Sequence, residues 1–286
     1  MSDRGSAGAA GRMQIAHILD RLMGDQRQTQ VAKAAGVSVG TINRYLSWRD
    51  ASRLRVSTVI AIAAACGASE DERDYLAHLV RMQDDGWWTT GNLRADSLLD
   101  PLLSFEAVAD TELVYANALV PGLLQTADYA ESLHREQDPG AEPAVVASRI
   151  ASRLRRQTVL DGHLRLSVVL DQSVLHRTVG SAATMAAQIE HLIAMAARPA
   201  IDLRVLPLTA GAPAGSGGHF LTLDWQDDGR ELSVVYVELH RRRGLYLDDP
   251  AEVEAYRSLF HDLHRRAADT TATQALLTHA RSEYDA

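Results

Sequence analysis

Apolar residues in the first eighty positions recur at the three- and four-residue spacing of amphipathic helices, in short segments separated by polar turns. Neither proline nor strand-like alternation occurs in residues 13–82. The pattern predicts a compact bundle of five helices. The predicted helices run up to Gly24, from Gln28 to about Gly36, from Ser38 onward, from Ser57 to Cys66 and from Glu70 to Met82.

The hydrophobic pattern changes in the second part of the chain, where short runs rich in Val, Leu, Ile and aromatic residues appear. They predict strands at Leu164–Leu170, Ile201–Leu208, Phe220–Trp225 and Val234–Leu239. Helical spacing predicts helices at Ser104–Asn117, Asp128–Glu136, Val145–Leu160, Ala182–Ala197 and Pro250–Arg266. The strand, helix, strand order indicates an α+β or mixed α/β domain with at least one parallel strand pair.

The two patterns meet at Asp84–Gly91, a stretch rich in helix-breaking residues that holds two adjacent tryptophans. We therefore expect a multidomain chain with a disordered tail at residues 1–12, a helical domain at 13–83, a linker at 84–92 and an α+β domain at 93–286. Trp87 and Trp88 are expected to anchor an interdomain contact, with stacking on nucleic acid as the alternative.

The most specific signal lies in the second and third helices, where a small residue, a glycine and two bulky residues stand at fixed spacing. Counted from Gln28, Ala32 is fifth, Gly36 ninth, Ile42 fifteenth and Tyr45 eighteenth. A small residue permits a close helix crossing, the glycine permits the turn, and the bulky residues fix the crossing angle. This is the pattern of a helix-turn-helix, which presents its second helix to the major groove of DNA.

Over about seventy residues this stretch resembles the XRE class of helix-turn-helix domains, an all-α fold like that of phage repressors. The resemblance implies that Gln28 approaches a phosphate and that the third helix meets base edges. The residues that would face the groove are Val39, Gly40, Asn43 and Arg44, and Ser38 and Thr41 at the start of the same helix are also expected to contact DNA. Asn43 is suited to adenine, Arg44 to guanine or a phosphate, and Val39 to a thymine methyl.

Charge supports a local contact with DNA. The chain as a whole carries a formal charge of −8, which excludes a protein that coats nucleic acid by bulk positive charge. Residues 12–56, however, hold eight basic and three acidic side chains. Arg49, Arg53 and Arg55 follow the third helix and are predicted to contact phosphates. The arginines of the predicted helix at Val145–Leu160 allow two interpretations, a binding stripe for an acidic partner or nucleic acid, and an ordinary solvated face.

A second resemblance covers most of the chain after residue 118. It is carried by Leu119–Thr126 with Tyr129-Ala130, Arg156-Gln157, Val169-Leu170, Leu175, Val179-Gly180, Met185–Leu192, Arg204–Pro207, Gly218–Phe220 and Val235–Glu238. These segments resemble the C-terminal domain of the WhiJ-like, or antitoxin-like, transcriptional regulators. The resemblance implies a sensing or partner-binding domain and a small partner protein encoded nearby.

Composition excludes several kinds of chemistry. Lys33 is the only lysine, so a phosphate loop ending in Gly-Lys-Ser/Thr is absent. Cys66 is the only cysteine, which rules out an intramolecular disulfide and favours a reducing compartment. His261 and His264 share a helix face, but no further ligands adjoin them. We therefore expect no catalytic residues, no metal and no cofactor, and the ligand-binding residues stay unknown.

Together these features predict a cytoplasmic transcriptional regulator, located at the nucleoid when bound to DNA, with no membrane contact. Because one helix-turn-helix buries little surface on DNA, a homodimer on an inverted-repeat operator in double-stranded DNA is expected. The C-terminal domain would dimerise and bind the small partner protein or a ligand. In the alternative, the chain is the antitoxin of a two-gene module, and autoregulation is secondary.

Overall fold

The computed structural model describes residues 3–4, 8–48, 52–82, 87–89, 101–215, 217–227, 229–239 and 243–285. The chain forms two compact units: Met1–Val108 with Asp224–Glu254, and Ala109–Leu223 with Ala255–Ala286. The helices are α1 Ala9–Met23, α2 Gln28–Ala35, α3 Val39–Tyr45, α4 Val56–Ala65, α5 Glu70–Met82, α6 Pro101–Glu106, α7 Ala127–Gln137, α8 Pro143–Arg156, α9 Ser173–His176, α10 Ala182–Ala196, α11 Pro250–Arg266 and α12 Thr270–Ser282. The strands are β1 Asp3–Arg4, β2 Trp87–Thr89, β3 Thr111–Ala116, β4 Arg165–Asp171, β5 Ile201–Leu206, β6 Phe220–Asp227, β7 Arg230–Leu239 and β8 Arg243–Leu247.

The predicted five-helix bundle is confirmed and forms much of the first unit. Its apolar faces meet in a core whose largest side chains are fully buried: Ile15, Ile18, Leu19, Ile42, Ile62, Leu76 and Leu79. Helix α1 begins at Ala9, four residues before the predicted start and inside the segment predicted as a disordered tail. Most of the predicted linker lies outside the described residues, so the proposed domain boundaries stay predictions.

The early start of α1 is stabilised by a carboxylate that lies 240 residues away in the sequence. Asp248, 6% exposed, accepts hydrogen bonds from the backbone N–H groups of Gly8 (3.0 Å), Ala10 (2.9 Å) and Gly11 (3.3 Å). These are the N–H groups that the first turn of a helix leaves without partners. Burial raises the pKa of Asp248, although the three N–H donors oppose that shift.

Strands also belong to the first unit, in the order β2-β8-β7-β6. β8 pairs antiparallel with β7 and with β2, and β1 pairs parallel with β7. The ring of Phe105 on α6 packs against two aromatic rings of this sheet. Its centroid lies 5.4 Å from that of Trp225 on β6 and 6.1 Å from that of Tyr246 on β8. Neither β2 nor β8 was predicted, because the strands are short and β8 follows the charged run 241–243.

The second unit is a mixed α/β structure in which the strand order is β6-β3-β4-β5. β3, β4 and β5 are parallel, with Val114 beside Val168 and Val168 beside Leu203. The parallel pair predicted from the strand, helix, strand order is therefore confirmed. The predicted helices at 128–136, 182–197 and 250–266 are also confirmed within one residue at each end.

The helix predicted at Ser104–Asn117 is wrong. Helix α6 ends at Glu106, and Thr111–Ala116 forms β3, which lies between β4 and β6. Five of its six residues are buried, so both faces of the strand are covered and the apolar run shows no alternation. A continuous apolar run of this length fits a buried helix as well as a buried strand. Helix α12, capped by Asp269 through the N–H of Ala272 (2.8 Å), was not predicted at all.

The segment Leu119–Thr126, which carried much of the second resemblance, is held by amide side chains. Gln188, fully buried, accepts from the N–H of Thr126 (2.8 Å) and donates to the carbonyl of Leu124 (2.7 Å). Gln157 donates to the carbonyls of Gly122 (3.0 Å) and Gln125 (2.7 Å). Gly122–Leu124 forms a 3₁₀ turn, and these side-chain bonds give hydrogen-bond partners to backbone groups in and directly after that turn.

Candidate nucleic-acid interface

The turn between α2 and α3 has the geometry that the spacing predicted. Gly36 adopts the left-handed conformation, with φ of 68°. Its N–H donates to the carbonyl of Lys33 (3.4 Å), and the next N–H, that of Val37, donates to the carbonyl of Ala32 (3.0 Å). This paired closure of a helix end requires a positive φ, which glycine adopts without strain. Gly36 therefore sets the direction in which α3 leaves the turn.

The buried side of the helix pair consists of the predicted anchor residues. Val31, Ala32, Ile42 and Tyr45 are each 5% exposed or less. The hydroxyl of Tyr45 also accepts a hydrogen bond from the N–H of Arg55 (3.1 Å). The end of α3 is thus tied to the residue that precedes α4, and the orientation of α3 is fixed at both ends.

The opposite side of α3 is open to solvent. Val39 is 36% exposed, and Gly40, Asn43 and Arg44 are exposed as well. At 100° per residue these four positions span about 140° of the helix surface, away from Ile42 and Tyr45. The structure therefore brings four of the predicted base-contacting residues together on one rigid, accessible face.

Ser38 and Thr41 lie at the same end of α3, but their side chains bond to each other. The Ser38 hydroxyl oxygen accepts from the N–H of Thr41 (3.0 Å) and lies 3.0 Å from the Thr41 hydroxyl oxygen. Ser38 is therefore the N-cap of α3, at the residue from which the sequence predicted this helix to run. Gln28, the other predicted contact in this region, is half-buried at the first position of α2.

Gly40 differs from Gly36 in having no conformational need for glycine. It lies in the first turn of α3 without a positive φ, and a Cβ at this position would meet only the Ser38 Oγ, at 3.7 Å. Alanine would therefore fit the folded protein and would favour the helix by up to about 1 kcal/mol. Nothing in the described chain explains the missing side chain, and this position lies on the open face.

The predicted phosphate contacts lie in the loop between α3 and α4. Arg53 and Arg55 are exposed, whereas Arg49 lies outside the described residues. The preceding loop is held to α1 by Arg12, whose guanidinium donates to the carbonyl of Ser52 (3.4 Å). Arg27, which sequence reasoning did not select, is exposed at the N-cap of α2 beside Gln28. Its position before a helix start was the available signal, since helix N-termini attract phosphates.

The other charged features singled out in the sequence do not form a second site. Arg149 pairs with Asp138 (3.2 Å), and the guanidinium groups of Arg153 and Arg156 lie over Gly122, so the α8 arginines do not form a continuous solvated stripe. His264 bonds through Nε2 to Asp202 Oδ2 (2.7 Å). Among the described residues, no group of three or more His, Cys, Asp or Glu side chains is arranged to hold a metal.

Two family models match the chain. Residues 14–76 match a helix-turn-helix domain, and residues 99–279, well over half of the chain, match a domain of unknown function, DUF5753. The comparison of the chain with curated proteins and with solved structures found no match. The helix-turn-helix prediction is therefore confirmed, and the finer assignment to WhiJ-like regulators stays a prediction. In the described part of the chain, no helix is long and apolar enough to cross a membrane.

Proposed function

This chain belongs to the DUF5753 family, and because a helix-turn-helix domain precedes the DUF5753 domain, we propose that it is a sequence-specific transcriptional regulator. The helix-turn-helix points to a DNA-binding regulator rather than an enzyme. The carrying observation is the open face of α3, whose orientation is fixed by Gly36, Ile42 and Tyr45 while Asn43 and Arg44 stay accessible. That is the arrangement needed to insert a helix into the major groove.

Each residue of the interface has a proposed role. Asn43 bonds the edge of an adenine, Arg44 that of a guanine, and Val39 contacts a thymine methyl. Gly40 lets the α3 backbone approach the bases. The remaining predicted residues contact the DNA backbone: Gln28, Ser38, Thr41, Arg49, Arg53 and Arg55, together with Arg27.

We further propose that the second domain forms a homodimer and binds a partner protein or a ligand. A homodimer would read an inverted repeat, since two recognition helices related by a two-fold axis match a palindromic operator. A small partner protein or a ligand bound by the C-terminal domain would change the affinity for the operator by favouring one spacing of the two helices.

The test is a titration of the full chain on the DNA upstream of its own gene, over a series of salt concentrations. We expect nanomolar binding that weakens steeply as salt rises. The double variant Asn43→Ala, Arg44→Ala should lose at least about 30-fold in affinity, since each base contact contributes about 1–3 kcal/mol. Arg81→Ala is the matched control, because it removes an exposed arginine from the last turn of α5.

Equal losses in the double variant and the control would show that α3 does not read the sequence. The antitoxin alternative would instead be supported by weak DNA binding of the unmodified chain, together with a neighbouring small protein that is toxic when expressed alone and harmless when this chain is co-expressed. Arg44→Lys separates two roles of Arg44, because lysine retains a phosphate contact but loses the paired bonds to guanine.

A further inference from the structure

Asp248 joins the two regions of the chain that the family models match. It lies within residues 99–279 of the DUF5753 match, and α1, whose first turn it caps, continues into residues 14–76 of the helix-turn-helix match. Both belong to the first compact unit. The contact therefore ties the helix-turn-helix bundle to the DUF5753 region inside one unit.

The next residue, Asp249, caps a second helix. Its Oδ1 accepts hydrogen bonds from the N–H groups of Ala251 (2.9 Å) and Glu252 (3.3 Å), in the first turn of α11. Asp248 thus holds the start of α1 while its neighbour holds the start of α11. Because the two aspartates are adjacent in the chain, a displacement of the start of α11 also moves the acceptor that stabilises the start of α1.

The first turn of α1 is linked in turn to the loop that follows α3. Arg12 directly follows the residues that Asp248 holds, and its N–H donates to the carbonyl of Gly8 (3.0 Å), which closes that turn. The guanidinium of Arg12 donates to the carbonyl of Ser52 (3.4 Å). Hydrogen bonds therefore connect Asp248 to this loop through a single helical turn.

The loop that Arg12 reaches carries two of the arginines proposed to contact phosphates. Arg53 directly follows Ser52, and Arg55 is the N-cap of α4; both side chains are exposed. The N–H of Arg55 donates to the hydroxyl of Tyr45, so the loop is bound to α3 as well as to α1. Such anchoring favours a phosphate contact, because a loop that is already fixed loses less conformational entropy when it binds.

We propose that Asp248 is a positioning residue for DNA binding. Acting through the first turn of α1 and through Arg12, it holds Arg53 and Arg55 where they contact phosphates, while Asp248 itself lies outside the predicted interface. A ligand or partner protein that displaces Asp248 changes the affinity for DNA and leaves base selection by α3 unaltered. This role deepens the proposed function and rests on it, since it concerns how the same DNA interface is held.

The test is a titration of full-length Asp248→Ala and of the unmodified chain on the DNA upstream of the gene, over a series of salt concentrations. Each phosphate contact adds about 0.9 to the slope of log affinity against log salt, so the slope of the variant should be smaller by about 1–2. Its affinity should fall about 5-fold, the factor that one hydrogen bond contributes. The affinity ratio between this DNA and a scrambled sequence should stay within about twofold, because α3 is unchanged.

Glu72→Ala is the matched control, because it removes the same charge and a helix cap from the same bundle. Glu72 accepts from the N–H (2.7 Å) and the hydroxyl (2.9 Å) of Ser69 before α5. In the described chain it has no hydrogen bond to α1 or to the loop, so its salt slope should match that of the unmodified chain. Asp248→Asn retains one acceptor oxygen and should recover part of the lost slope and affinity. An unchanged slope in Asp248→Ala, an equal change in the control, or no recovery in Asp248→Asn would overturn the positioning role.

Arg12 provides a second test, because Asp248 acts through it. The double variant Asp248→Ala, Arg12→Ala should bind DNA no more than about twofold more weakly than Arg12→Ala alone. Losses that add in full would show that Asp248 does not act through Arg12, and the proposed route would be wrong.

Hydrogen exchange without DNA keeps the positioning role and the proposed function distinguishable. The amides of residues 52–55 should exchange about 5-fold faster in Asp248→Ala than in the unmodified chain, and should be unaltered in Glu72→Ala. Faster exchange in this loop, together with no DNA binding by the unmodified chain, would overturn the proposed regulator and leave the coupling standing. DNA binding with the same salt slope and the same loop exchange in Asp248→Ala would overturn the positioning role alone.

Discussion

Replacing Gly40 by alanine should stabilise α3 and weaken DNA binding, two effects of opposite sign from one methyl group. Gly40 is helical and exposed, and its Cβ would lie 3.7 Å from the nearest atom outside its neighbours. Removing glycine from such a position lowers the entropy of the unfolded chain and stabilises the fold by about 0.4–1 kcal/mol. On the DNA side, a methyl group forced into a close contact costs about 1–3 kcal/mol, or roughly 5- to 150-fold in affinity.

Gly36→Ala provides the contrasting change at the other glycine of the motif. The space around Gly36 is also open, but its φ of +68° is one that alanine adopts only with strain. A left-handed conformation costs a residue with a Cβ about 1–2 kcal/mol. The same chemical change should therefore destabilise the turn at position 36 and stabilise the helix at position 40.

Hydrogen exchange measured on peptides that cover α3 reports the local opening free energy of both variants. A titration on operator DNA gives the affinity. We expect slower exchange with weaker DNA binding for Gly40→Ala, and faster exchange for Gly36→Ala. If Gly40→Ala bound DNA like the unmodified chain, Gly40 would not lie in the interface. If it opened more readily, the structural reasoning about that position would be wrong.

Two further predictions concern side chains that join distant parts of each unit. Asp248→Ala should lower the free energy of unfolding of the first unit by about 2 kcal/mol, because three N–H groups at the start of α1 lose their acceptor. Amide hydrogen exchange at residues 8–12 that stays as slow as in the unmodified chain would contradict this prediction. In the second unit, burial raises the pKa of Asp202, but hydrogen bonds from His264 and Arg204 outweigh burial and hold that pKa below its usual range. A lowered carboxyl pKa adds stability that is complete above the unfolded pKa of about 4 and is lost as the pH falls through the folded pKa. Urea unfolding should therefore show a smaller fall in stability between pH 5 and pH 2 for the Asp202→Asn variant than for the unmodified chain. Equal falls would show that the pKa of Asp202 is not lowered by its hydrogen bonds.

The local sequence determined those parts of the fold in which neighbours along the chain decide the structure. Ala32, Gly36, Ile42 and Tyr45 define the helix-turn-helix because each acts within eighteen residues of Gln28. The caps at Ser38 and Thr126 were predictable for the same reason, since each accepts from the N–H three residues ahead. The exposed face of α3 followed from helical periodicity once Ile42 and Tyr45 were assigned to the core.

Only the tertiary structure decided which elements cover one another. β3 is a strand because β4 and β6 pair with it on both sides, and its apolar residues alone would equally fit a helix. The start of α1 depends on Asp248, and the inward orientation of Arg153 and Arg156 depends on the open surface of Gly122. Such contacts join residues far apart in the sequence, so no local pattern encodes them.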